Sequence, residues 1–127
     1  MQVLIVESNA SLGFIWRKHL ERLGHDVILA PRQSDAIAAI RDHSPEIVIL
    51  DLVLEQASAL AIADFASYRA PQARVIFVSA GSFFSDGSIF SLAQNACAFL
   101  PAGVQPEDLC AMVEYYGAAA VNQSLSR

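Results

Sequence analysis

At 127 residues the chain has the length of one domain, enough to bury roughly two-thirds of its unfolded surface without disulfide or metal staples. Hydrophobic residues make up 54% of it, yet no uninterrupted apolar run nears the ~18 residues of a membrane span. A net charge of −5 and a pI near 4.9 argue against direct nucleic-acid binding, which rests on neutralising phosphates.

Cys97 and Cys110 fit no CxxC or metal spacing and read as reduced, packed thiols, and His19, His25 and His43 are scattered. The N-terminus carries no basic segment, apolar core and cleavage site, so a cytoplasmic location is expected.

The chain opens on Gln2-Val3-Leu4-Ile5-Val6-Glu7, a β-branched strand closed by a carboxylate. Ser8-Asn9-Ala10-Ser11 supplies capping side chains for a first helix, along which Leu12, Ile15, Trp16, His19, Leu20 and Leu23 recur at helical spacing. Gly24 stops it as a C-cap glycine. Asp26-Val27-Ile28-Leu29-Ala30 is a short second strand broken by Pro31. A second helix follows, with Ser34 expected as its N-cap and Ala36, Ile37 and Ile40 as its apolar stripe. Ser44-Pro45 ends it, since the residue before proline avoids the helical region.

Glu46-Ile47-Val48-Ile49-Leu50-Asp51 is the central stretch. Four branched aliphatics in a row read as a strand buried on both faces of a parallel sheet, and a carboxylate ends it. A third helix is expected over roughly 58–68, then Arg74-Val75-Ile76-Phe77-Val78-Ser79 as the fourth strand. Ile89, Leu92, Ala93 and Ala96 mark a fourth helix, with Asn95 placed for a left-handed C-cap. Ala98-Phe99-Leu100 is a short fifth strand. Pro106, with Glu107 and Asp108 complementing the helix dipole, starts a fifth helix whose core face is Leu109, Met112, Val113 and Tyr116. The chain after about Asn122 is expected to fray.

Strict β/α alternation over residues 1–127, without repeat or linker, demands one α/β domain: a five-stranded parallel sheet, doubly wound by five helices through right-handed crossovers. Ligands and chemistry in such sheets sit beyond the carboxyl ends of the strands, near a switch point. Glu7 and Asp51 are therefore expected to converge at one rim, with Ser79 beside them.

These residues carry a resemblance. Val3-Leu4-Ile5-Val6-Glu7-Ser8-Asn9, Val48-Ile49-Leu50-Asp51-Leu52, Phe77-Val78-Ser79-Ala80 and Phe99-Leu100-Pro101-Ala102-Gly103, in order and over essentially the whole chain, resemble the receiver domain of bacterial two-component response regulators. That resemblance implies the flavodoxin-like strand order 2-1-3-4-5 and a signalling module rather than an enzyme. It implies that Asp51 is the phosphoacceptor for a histidine kinase or phosphotransfer protein, and that Ser79 hydrogen-bonds the phosphoryl group. It further implies that Phe99 is the switch aromatic, and that Mg²⁺ is held by Glu7, Asp51 and the Val53 backbone carbonyl.

Two departures stand out against that pattern. Ser8 replaces the second acidic residue after the first strand, and a hydroxyl is a poorer hard-cation ligand than a carboxylate. Ala102 replaces the lysine that pairs with the phosphoryl oxygens, a charge-assisted hydrogen bond of about 1.5–3 kcal/mol. Gly103, Glu55 and Ala59 also differ from the family pattern. Counting formal charge does not separate this site from a standard one: Glu7 and Asp51 give −2, as do three carboxylates and a lysine.

The expectation is an atypical receiver acting as a protein-interaction module, with weak phosphorylation at Asp51 and weak Mg²⁺ binding. A conventional phosphorylation switch at Asp51 is the alternative. A small-anion site at Ser8–Ser11 finds no Gly-rich loop to support it.

Seven of the eight Lys and Arg lie at or before Arg74, and the last is Arg127. The fourth helix, fifth strand and fifth helix thus lack the cations for a mixed salt-bridge network. Phe83, Phe84, Phe90 and Tyr115 point instead to an apolar homodimer face there. Arg17, Lys18 and Arg22 form a basic group on the first helix, fit to meet an acidic partner.

Overall fold

The computed structural model describes residues 1–54, 57–79 and 93–125, with side chains through Gly117. These residues hold five strands: β1 (Gln2–Val6), β2 (Asp26–Ala30), β3 (Ile47–Asp51), β4 (Arg74–Ser79) and β5 (Ala96–Pro101). Among the described residues four helices accompany them: α1 (Ala10–Arg22), α2 (Gln33–His43), α3 (Ala59–Arg69) and α4 (Pro106–Leu125). The strands form one sheet in the order β2-β1-β3-β4-β5, every neighbouring pair parallel. No helix among the described residues is long and apolar enough to cross a membrane.

The apolar runs have the cause expected of them. Side chains alternate between the faces of a strand, and here both faces are covered. Leu4, Val6, Val48, Leu50, Val75 and Phe77 pack with Ala36, Ile40, Ile62 and Ala66 of α2 and α3. Val3, Ile5, Ile47, Ile49, Ile76 and Val78 pack on the other side with Trp16, Leu20, Leu109 and Val113 of α1 and α4.

Helix ends follow local chemistry. The Asn9 Oδ1 caps α1 by accepting from the Leu12 amide at 3.1 Å, and the Ser58 Oγ caps α3 by accepting from Ala61 at 3.2 Å. Gly24 follows the end of α1 at φ +90°, a conformation suited to glycine. Ser44 takes the left-handed region at φ 46° ahead of Pro45, closing α2.

Several expectations need correction. Ser34 lies inside the first turn of α2, whose N-cap is the extended Arg32. That turn is held by the Ala36 amide donating to the Arg32 carbonyl and by an Arg32–Asp35 ion pair at 3.2 Å, so no hydroxyl cap is needed. Ile15 and Leu23 are exposed, because α1 turns Gly13, Trp16 and Leu20 to the sheet.

Asn95 is not left-handed. Its side-chain amide instead donates to the Ala63 carbonyl at 3.0 Å, tying the approach to β5 onto α3. The expected fourth helix falls mainly in 80–92, outside the described residues, and Ala96, assigned to it from sequence, begins β5. The helix α4 continues past Asn122 to Leu125.

Candidate functional site

Strand register builds the site. Val6 pairs with Leu50, which places Glu7 beside Asp51 one step further on. Asp51 pairs with Val78, and the Leu52 amide donates to the Val78 carbonyl at 2.9 Å, bringing Ser79 to the same level. Ser79 pairs with Pro101, and the Ala102 amide donates to the Ser79 carbonyl at 3.0 Å. Glu7, Asp51, Ser79 and Ala102 thus form a row across the carboxyl rim of β1, β3, β4 and β5. Three of them are the buried polar side chains of the described core: Glu7 at 3% exposure, Asp51 at 8% and Ser79 at 1%.

The turn after β1 is tightly bonded. One Glu7 oxygen, Oε1, accepts from the Asn9 amide at 3.0 Å, while the Asn9 side chain caps α1. A Cβ built at Gly13 would come within 2.8 Å of Leu29 Cδ1 and 3.6 Å of Glu7 Cβ. A glycine there lets α1 lie close against the strand end that carries Glu7. Asp51 is fixed in a similar way, its Oδ1 accepting from the Val53 amide at 2.8 Å. Sequence reading found the four rim residues and missed Asn9 and Gly13 as their supports. Only the run of capping residues signalled the first, and nothing local signals the second.

The Glu7 carboxyl does not behave as the formal charge count implies. Burial raises the Glu7 carboxyl from the usual 4.5 to about 8, and hydrogen bonding and charge repulsion from Asp51 add to the rise, against the lowering effect of the Asn9 and Ser8 amides. Glu7 Oε2 is buried and receives no donor among the described residues. In the metal-free protein the buried Glu7 carboxyl therefore favours its protonated form at neutral pH.

The donor set suits a hard divalent cation in kind: two adjacent carboxylates, one with an orphaned oxygen. Glu7, Asp51 and the Val53 carbonyl would hold such an ion. Val53 is itself seen through its amide, bonded to Asp51. Among the described residues no group of three His, Cys, Asp or Glu is gathered for a metal, and Ser8, where another carboxylate would complete the set, is half-buried at the start of the turn.

The other expected positions are distributed as follows. Phe99 is half-buried on β5 and packs with the α2–α3 side of the core. Ala102 and Gly103 follow β5, Ala102 half-buried and Gly103 exposed. Tyr115 is exposed on α4 and meets Tyr116 edge-on at 5.0 Å. Glu55, Phe83, Phe84 and Phe90 lie outside the described residues.

No protein-family model and no curated protein matches the sequence. Solved structures do match in fold. A CheY-like response regulator receiver domain protein from Methanospirillum hungatei superposes with a TM-score of 0.87 at 21% identity, over 96% of this chain and 97% of that one. A response regulator from Thermotoga maritima gives 0.79 at 20% identity, over 92% and 97%. A response regulator protein from Burkholderia pseudomallei, solved with a phosphorylated aspartic acid, a calcium ion and citrate, gives 0.80 at 18% identity, over 97% and 72%. With its parallel 2-1-3-4-5 sheet and carboxylates at the rim, the chain has the receiver-domain fold of response regulators.

Proposed function

We propose that the chain is an atypical receiver, a protein-interaction module of two-component-type signalling whose Asp51 takes up phosphate weakly from a histidine kinase or phosphotransfer protein. The observation that carries this reading is the rim row. Glu7, Asp51 and Ser79 are brought together and buried, while Ala102 occupies the adjoining place and offers no cation.

In the reaction, an Asp51 carboxylate oxygen forms a bond to the donor's phosphorus as the phosphorus–nitrogen bond to histidine breaks, and the imidazole nitrogen leaves with the electron pair. Such transfer depends on positioning and on stabilising charge spread over the phosphoryl oxygens. Ser79, at the end of the neighbouring strand, would donate to one of those oxygens. A bound Mg²⁺ would supply positive charge to them. This chain offers two carboxylates rather than three to hold it, and no lysine beside it, so binding and transfer are both weak.

Incubation with acetyl phosphate and Mg²⁺ followed by intact mass measurement tests the reading. Partial labelling is expected in the wild type, none in Asp51→Asn, and a clear increase in the double variant Ser8→Asp with Ala102→Lys. Full, rapid labelling of the wild type would favour the conventional switch, for which the presence of Asp51 and Ser79 at one rim speaks.

A further inference from the structure

Helices α1 and α4 lie on the same face of the sheet and leave a groove of about 450 Å³ between them. His19, Arg22 and Leu23 line it from α1, and Glu107, Cys110, Ala111 and Glu114 from α4. The α4 residues recur at i, i+3, i+4 and i+7, one continuous stripe of a helix. The α1 wall carries Arg22 and the α4 wall Glu107 and Glu114, with Asp108 next to Glu107 in sequence.

These charges are not used up within the chain. Among the described residues Arg22, Glu107 and Asp108 make no ion pair, and Lys18 lies over the Phe14 ring at 5.3 Å. Glu21 is paired with Arg17, and Glu114 with His25. Apolar surface accompanies the charge: Phe14, Ile15 and Leu23 of α1 and Tyr115 of α4 are exposed.

A groove with one basic and one acidic wall is complementary to itself. A two-fold axis running along it lays the α1 of each copy over the α4 of the other, so each basic wall meets an acidic one twice over. Like-charged walls never meet in that arrangement, whereas an acidic or a basic partner segment would be repelled by one wall of the groove.

We propose that this groove is a self-association surface, a second copy of the chain docking α1 against α4 with Leu23 and Ala111 at its centre and Arg22 facing Glu107 or Asp108 of the other copy. The contact is small and its rim charged, so the dimer is of the weak, transient class. It does not depend on whether Asp51 is phosphorylated.

Sedimentation velocity of the full chain over a concentration series, at low and high salt, tests this. A dimer should form and weaken as salt rises, because the paired charges are exposed. Arg22→Glu and Glu107→Arg should each weaken it by about tenfold or more, through like charges placed opposite each other. Mixing the two single variants should restore association as a heterodimer, since both walls then again meet opposite charge. Such rescue between chains cannot arise from a contact within one chain.

A protein that stays monomeric up to about 1 mM, a concentration at which a Kd of about 1 mM would already show, would overturn the proposal. So would a dimer indifferent to salt and to both reversals, which is the behaviour of an apolar interface through the fifth strand and the helices beside it. Failure of the mixture to recover would equally reject the pairing of α1 with α4. All the substituted positions are exposed, and circular dichroism checks that each variant is folded.

Discussion

At the scale of single residues, the protonation of Glu7 decides how the site behaves. A carboxyl at about 8 in the folded chain and near 4.5 when unfolded binds its proton more tightly in the native state. Between those values the native protein holds a proton that the unfolded chain has lost, so stability falls as pH rises through that window and levels off above it. Denaturant titrations of the metal-free protein should therefore show greatest stability near pH 5 and a loss on the order of a few kcal/mol by pH 8. Glu7→Gln, which keeps the shape and needs no proton, should flatten that dependence. A wild type whose stability does not change between pH 5 and 8 would contradict the raised Glu7 carboxyl. The identity of Glu7 as a site residue was legible from its place at the end of an aliphatic strand. Its protonation was not, because that depends on burial and on the lack of a neighbouring cation, both set by residues distant in sequence.

At the scale of elements, the turn from β1 into α1 links structure to site most directly. Asn9 contributes its backbone amide to Glu7 and its side chain to Leu12. Asn9→Ala leaves the amide and removes the cap, and should cost about 1 kcal/mol in urea unfolding. Restoring a cap with Asn9→Asp or Asn9→Ser should recover most of it. If alanine costs nothing, the cap is not part of what holds the turn.

Helix termini were readable wherever a side chain does the capping, as at Asn9 and Ser58, or wherever proline forces a stop, as at Ser44. They were misread at Ser34 because α2 begins on main-chain and ion-pair contacts that carry no hydroxyl signature. The exposed faces of Ile15 and Leu23 were misread for a related reason. Helical spacing alone admits two neighbouring stripes, and the fit of Gly13 against Leu29 is part of what selects the one turned inward.

At the scale of the whole molecule, the alternation of strand and helix was sufficient for the sheet, because the central strands β1, β3 and β4 are buried on both faces and show in sequence as nearly unbroken apolar runs. Convergence of Glu7, Asp51 and Ser79 followed from that topology. The groove between α1 and α4 was beyond reach of the sequence: its walls come from residues 19–23 and 107–114, and only the folded arrangement shows that they are neighbours and oppositely charged. The basic character of the first helix was visible, but the partner expected for it was a different protein.

The rim row has one more outcome, for how the site moves. Its residues are joined by main-chain bonds: Glu7 to Ala30, Leu52 to Val78 and Ala102 to Ser79. Main-chain amides locked between strands lose their hydrogens to solvent only when the strands part. In deuterated water the Leu52 and Ala102 amides should exchange as slowly as those in the middle of β3, and Ser8→Asp with Ala102→Lys should leave them slow. Fast exchange at the rim beside slow exchange in β3 would show that the site opens by itself. The expected result makes the scaffold indifferent to the chemistry it carries: substitutions at positions 8 and 102 alter what the row can bind without loosening the strands that hold it.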